Sequence, residues 1–330
     1  MRIPDELREC VCFTRAQWPS GASAMGTAFF VGVPTGIDGR PFIYAVTAKH
    51  CVTGSLQAQR SQGGRPAEVV LLVNHREHGR TENRTRASDW LLHDTADVAV
   101  LPLGGTDPSF EVRVWPTHEN VASELVVKEK NIGAGDDVFI AGLLTYHRGA
   151  TRNLPVVRLG SIAAMPEDPV GLETGPDTVT LVEVRSIGGL SGSPVFVHLS
   201  VLRDMPEGMF LRGGGGTAGS GGTSWLHGVM HGFYPTGKDD PDGASENLNT
   251  GIAIVARIDR VLDLIHRPDQ VALRDEVSKR VEQELETTII PASLDQASGT
   301  EFERFKAITQ DLLRVPEAEL EAAARATNGR

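Results

Sequence analysis

Cysteine is scarce, with three residues in 330. Cys10 and Cys12 stand two apart, which on a strand points both to one face, and no second pair completes a zinc site. Cys51 has no evident partner either, so a disulfide framework is excluded and unpaired thiols in a reducing compartment are expected. Basic charge is also short. The 32 Lys and Arg face 43 Asp and Glu, and the net charge of −11 disfavours sequence-independent nucleic-acid binding. No run approaches the roughly 18 apolar residues of a membrane span. The opening MRIPDELREC mixes charges of both signs and lacks an apolar centre, so it does not read as a secretory signal. A cytoplasmic protein without membrane attachment is the expectation.

What is present is turn chemistry between short apolar runs. The 36 glycines and 19 prolines supply turns, and 40% apolar with 23% charged residues excludes wholesale disorder. A chain of 330 residues exceeds the roughly 250–300 at which one core stops growing, so two domains, or one two-lobed domain with an appendage, are expected. From Val11 to Ile258 the recurring unit is a β-branched or aromatic run bounded by Gly, Pro, Asp or Asn, as in 25-MGTAFFVGV-33, 42-FIYAVT-47, 97-DVAVLPL-103, 193-SPVFV-197 and 252-IAIVARI-258. Such spacing without helical periodicity argues for a sandwich or barrels rather than a parallel α/β sheet. Two barrels fit, at about 8–103 and 136–258, joined by a polar crossover at 104–135.

After Ile258 the period becomes helical. Residues 259–267, DRVLDLIHR, form a closing helix that stops at Arg267-Pro268. A further helix is expected at about 270–286, a capping box at Thr300 and Glu303 precedes Phe302, Phe305, Ile308 and Leu312, and Pro316 opens another helix. The division is thus a body at 1–268 and a helical extension at 269–330, dispensable for chemistry. The extension's apolar stripe would dock on the body, on a protein partner or on a second copy. Residues 212–224, RGGGGTAGSGGTS, fit GxGxxG literally at 214–219, but a β-run follows rather than a helix, so a flexible linker is the better reading. Residues 235–250 read as a second polar loop.

Three motifs carry chemistry. Thr47-Ala48-Lys49-His50-Cys51 ends an apolar strand and can hold an imidazole at a cleft; alone, an ordinary histidine would explain it. Asp97-Val98-Ala99-Val100-Leu101 sets a carboxylate at the mouth of a strand; alone, a turn-capping aspartate would do. Asp94 competes with Asp97, and the Asp-aliphatic-Ala-aliphatic pattern favours Asp97. Gly188-Gly189-Leu190-Ser191-Gly192-Ser193-Pro194-Val195 is the most specific. Acyl transfer needs an exposed hydroxyl beside backbone N–H groups aimed at an oxyanion, and glycine permits the close approach.

The order His…Asp…Ser along the chain is that of chymotrypsin, not of subtilisins or α/β-hydrolases. On 26-GTAFFV-31, 44-YAVTAKHC-51, 97-DVAVL-101, 189-GLSGSPVF-196 and 226-LHGVMHG-232 the sequence resembles the trypsin-like (chymotrypsin-fold) serine peptidases, over about residues 8–267. The resemblance implies an all-β fold, a chymotrypsin-like double β-barrel, here with a C-terminal α-helical extension. It implies a serine endopeptidase acting on protein or peptide substrates, with His50 as base, Asp97 orienting it, and Ser191 as nucleophile. Backbone N–H groups of Gly189 and Ser191 would form the oxyanion hole, and no metal or organic cofactor is required. Arg185, Met230 and His231 become candidates for the substrate pocket, with Arg185 favouring acidic side chains and His231 near the support of the aspartate. Many secreted members carry an aspartate before the serine that receives a new N-terminus; Leu190 stands there, so that switch is not expected. The rival readings are a catalytically silent trypsin-fold module that binds peptides or proteins, and an adaptor acting through the helical tail.

Overall fold

The computed structural model describes residues 3, 7, 9–36, 41–105, 107–145, 147, 149–172, 175–184, 189–200, 222–235 and 249–287. The glycine-rich segment 212–221, most of the 235–250 loop and the expected helices beyond 287 lie outside the described residues.

The first lobe holds β1 (Val11–Gln17), β2 (Ser23–Val33) and β3 (Phe42–Thr47), the short helices α1 (Lys49–Thr53) and α2 (Leu56–Gln62), then β4 (Glu68–His75), β5 (Gly79–Arg86), β6 (Leu91–Leu92) and β7 (Ala99–Gly104). Their sheet has the order β5-β4-β1-β2-β3-β7-β6, and β8 (Trp115–Pro116) pairs β2 in parallel. Among the described residues this ladder runs from β5 to β6 as a second sheet. Its edge β5 reads GRTENRTR, a polar, charged sequence suited to an unpaired strand.

A crossover carrying α3 (Glu124–Glu129) leads to the second lobe. There β9 (Asp137–Gly142), β10 (Val156–Ala164), β13 (Val179–Glu183), β14 (Pro194–Ser200), β15 (Gly222–Pro235) and β16 (Asn249–Arg257) close a barrel in the order β10-β13-β16-β15-β14-β9. A small hairpin of β11 (Val170–Leu172) and β12 (Gly175–Asp177) lies outside it. α4 (Asp259–Ile265) and α5 (Pro268–Thr287) follow. This is the all-β, chymotrypsin-like pairing of lobes with C-terminal helices. No helix among the described residues is long and apolar enough to cross a membrane.

The core has three parts because the first sheet is covered on both faces. Cys12, Ala28, Phe30, Ala45 and Leu71 fill one side of it, and Val138, Ile140, Val182, Leu190, Val195 and Met230 fill the closed barrel. Between the lobes, Phe13, Phe29, Tyr44 and Val46 meet Phe139, Phe196 and Val229. Double coverage explains why β3, FIYAVT, is buried at all six positions and shows no alternation.

The same shared core takes in Val261 and Ile265 of α4 and Leu273, Val277 and Val281 of α5, the last three at i, i+4 and i+8 on one helix face. Arg274, also buried, donates from its guanidinium to the Tyr44 hydroxyl at 2.7 Å and to the Ile265 carbonyl. The sequence division at 268 therefore cuts through the core. Pro268 does stop α4, but it also suits the first turn of a helix and starts α5, which the body buries.

Candidate active site

The register Thr47↔Ala99 between β3 and β7 brings the end of one strand beside the mouth of the other. His50, second residue of α1, then faces Asp97, which is 1% exposed. One carboxylate oxygen, Oδ1, accepts the His50 backbone N–H at 2.9 Å, and Oδ2 lies 2.7 Å from His50 Nδ1. α1 has no side-chain cap of its own, so Asp97 satisfies an N–H that a helix start leaves open and orients the ring as well. Asp94 is exposed, and its carbonyl, not its carboxylate, receives Lys49 Nζ at 3.3 Å.

The serine lies in a tight turn that leads into β14. Gly189 and Gly192 have φ of +102° and +85°, conformations that L side chains rarely adopt. A Cβ on Gly192 would collide with the Thr27 carbonyl and the Thr47 hydroxyl. The turn is held by Gly192 N–H to the Met230 carbonyl at 2.7 Å and Ser193 N–H to the Leu190 carbonyl at 3.0 Å. Leu190 itself is 1% exposed within the barrel core, so an apolar anchor occupies the place before Ser191. Among the described residues, neither the Gly189 nor the Ser191 N–H has a protein acceptor. Cys51 Sγ donates to the Ser191 carbonyl at 3.6 Å, which seats the turn against α1. The Ser191 hydroxyl donates to the His231 carbonyl at 3.0 Å, and His50 Nε2 lies 3.8 Å from Cys51 Sγ.

Burial opposes a charged imidazole at His50, but the adjacent Cys51 sulfur and the Asp97 carboxylate pull the other way and hold it well above the ordinary histidine value. Burial likewise opposes the Asp97 carboxylate; the His50 charge and hydrogen bonds, with help from His231, outweigh this and lower it. His231 Nδ1 lies 3.1 Å from Asp97 Oδ2.

The structure places two of the pocket candidates. Met230 is 1% exposed and packs inside the closed barrel, offering only its carbonyl to Gly192, because the β-bulge after it turns the next residue outward. His231 addresses Asp97 across the lobe boundary, close to the support of the aspartate expected from sequence. Arg185 lies outside the described residues. Nothing in the sequence marks the Thr27 and Thr47 hydroxyls; inside 25-MGTAFFVGV-33 and 42-FIYAVT-47 they look like ordinary strand threonines, and only the fold shows what they hold. No group of three or more His, Cys, Asp or Glu gathers at metal-binding distance among the described residues.

No protein-family model matches the chain, and no curated protein sequence matches it. Solved structures similar to it include the protease Anisep from Arthrobacter nicotinovorans, with 12% identity and a TM-score of 0.42 over 78% of this chain and 94% of that one. The MamO protease domain from Magnetospirillum magneticum is similar at 13% identity and TM-score 0.44, over 78% and 96%. A mutant of the tobacco etch virus protease is similar at 10% identity and TM-score 0.44, over 81% and 82%.

Proposed function

We propose that this chain is a serine endopeptidase that cleaves peptide bonds of protein or peptide substrates through an acyl-enzyme on Ser191. The observation that carries the reading is the double engagement of His50 by buried Asp97, through its ring Nδ1 at 2.7 Å and its backbone N–H at 2.9 Å. With the proton held on Nδ1, Nε2 is the lone-pair nitrogen and can act as a base. The Ser191 hydroxyl swings from the His231 carbonyl to Nε2, gives up its proton and attacks the substrate carbonyl carbon. The resulting oxyanion is received by the Gly189 and Ser191 N–H groups, each worth about 2.7–4 kcal/mol in such a site. The imidazolium returns the proton to the leaving amine, and water then releases the acyl group by the same path.

One observation favours a second reading, a trypsin-fold module that binds peptides without cutting them. The Ser191 hydroxyl is bonded to a carbonyl and not to His50. Incubation of the purified protein with casein decides. The peptidase reading expects fragments from the wild-type chain and none from Ser191→Ala; equal digestion by both, or by neither, overturns it.

A further inference from the structure

Thr27 is fully buried in β2, and each of its polar atoms reaches another segment. Its hydroxyl accepts the Leu143 N–H at 3.2 Å and donates to the Gly189 carbonyl at 2.8 Å. Its backbone N–H donates to the Ser191 carbonyl at 2.8 Å, and its carbonyl accepts the Thr47 hydroxyl at 2.6 Å. A hydroxyl has one proton, so with Leu143 on an acceptor lobe the proton is committed to Gly189.

We propose that Thr27 is the positioning residue that holds the Gly189–Ser191 segment in its oxyanion-binding geometry, an inference that rests on the peptidase reading. A planar peptide sets its N–H opposite its carbonyl, so fixing the carbonyl fixes the N–H of the next residue. Three consecutive carbonyls are fixed here: Gly189 by the Thr27 hydroxyl, Leu190 by Ser193 N–H, and Ser191 by Thr27 N–H. Thr27 supplies two of the three, and they bracket the plane that carries the Ser191 N–H. A flip of that plane would have to break bonds on both sides. Thr27 also fixes the wall behind the segment. A Cβ at Gly189 would lie 2.8 Å from the Leu143 carbonyl and 2.9 Å from Thr145 N, and the Leu143 N–H is bound to the same hydroxyl. Thr27 touches no reacting atom; it acts through the segment it holds.

The test compares Thr27→Val, which keeps the shape and loses the hydroxyl, with Thr27→Ser, which keeps the hydroxyl. Two readouts are taken: kcat and KM on a small peptide ester, and amide hydrogen exchange at residues 189–193. Thr27→Val should lose roughly 10²- to 10³-fold in kcat with KM changed little, the scale of one oxyanion donor misplaced. Its 189–193 amides should exchange at least about tenfold faster while those of β14 and β16 stay protected. Thr27→Ser should match the wild type in both. Wild-type values in Thr27→Val, or a Thr27→Ser as impaired as Thr27→Val, would overturn the proposal. Should Thr27→Val not fold, Thr27→Cys, a near-isostere with a weak donor, should fall between the two in both readouts, and wild-type behaviour from it would count against the proposal. If the wild-type chain had no turnover, the peptidase reading would fall, and the exchange measurement alone would still decide whether the Thr27 hydroxyl holds the segment.

Discussion

His231 Nδ1 stands 3.1 Å from Asp97 Oδ2, the same oxygen that His50 Nδ1 meets at 2.7 Å. The two rings sit with centroids 5.6 Å apart, so one buried carboxylate is steadied from two sides. On the peptidase reading the shorter contact, reinforced by the His50 backbone N–H, sets the base, and the longer one supports the carboxylate. Asp97→Asn should therefore lower kcat on the order of 10⁴-fold, because the amide can favour the wrong tautomer. His231→Ala should cost only about tenfold, because its 3.1 Å contact to Asp97 is an ion-pair approach without a hydrogen bond. Steady-state kinetics on a peptide ester checks both, and equal losses from the two variants would contradict this division of roles.

The pH profile follows from the same cluster. In the proposed reaction His50 must be neutral to take the Ser191 proton, yet its surroundings hold it well above the ordinary 6.5. Activity should rise as pH climbs past neutrality, and Asp97→Asn, which removes a charge favouring the imidazolium, should move the rise to lower pH. A wild-type optimum on the acid side would contradict this. Stability carries its own signature. The raised His50 contributes fully below its unfolded value near 6.5 and is lost as pH rises through its folded value. The lowered Asp97 contributes above its unfolded value near 3.8 and is lost as pH falls through its folded value. The pair's contribution to Tm should be greatest between those two unfolded values and should vanish from the profile of the Asp97→Asn variant.

The strands and the neighbourhood of His50 and Asp97 were legible because each is encoded locally. A run such as FIYAVT with a histidine three residues on, and an aspartate opening DVAVL, reads directly as strand plus end. The place of α5 was not legible. Its spacing marks a helix, but burial of Leu273, Val277 and Val281 depends on a Tyr44 face set more than 200 residues earlier, where Arg274 docks. Thr27 left no trace in the sequence because its partners at 143, 189 and 191 meet it only in three dimensions.

The burial of α5 gives a stability prediction. A chain ended at 268 removes three side chains, Leu273, Val277 and Val281, that are 2%, 0% and 5% exposed. At roughly 1.5–3 kcal/mol each the loss is on the order of 5 kcal/mol, comparable to the whole stability of many domains. A chain ended at 287 keeps all three. Thermal unfolding should show the shorter chain far less stable than the longer; equal Tm values would mean that α5 contributes nothing to the core.

Gly192→Ala tests the packing of the turn. The residue has φ +85° and its Cβ would press on the Thr27 carbonyl, so strain and overlap act together. A loss of about 2–4 kcal/mol is expected from backbone strain plus overpacking, read by chemical denaturation. A variant as stable as the wild type would show that the turn can relax and is not held as tightly as its hydrogen bonds indicate.

The central claim is that Ser191 is an armed nucleophile served by His50 and Asp97. Treatment of the full-length chain with a fluorophosphonate, followed by mass spectrometry of the intact protein and its peptides, tests it most directly. The account predicts a single covalent adduct on Ser191, absent from Ser191→Ala and formed far more slowly in His50→Ala. A wild-type chain that stays unmodified under conditions that label a known serine peptidase, or that carries its adduct on another residue, would contradict it.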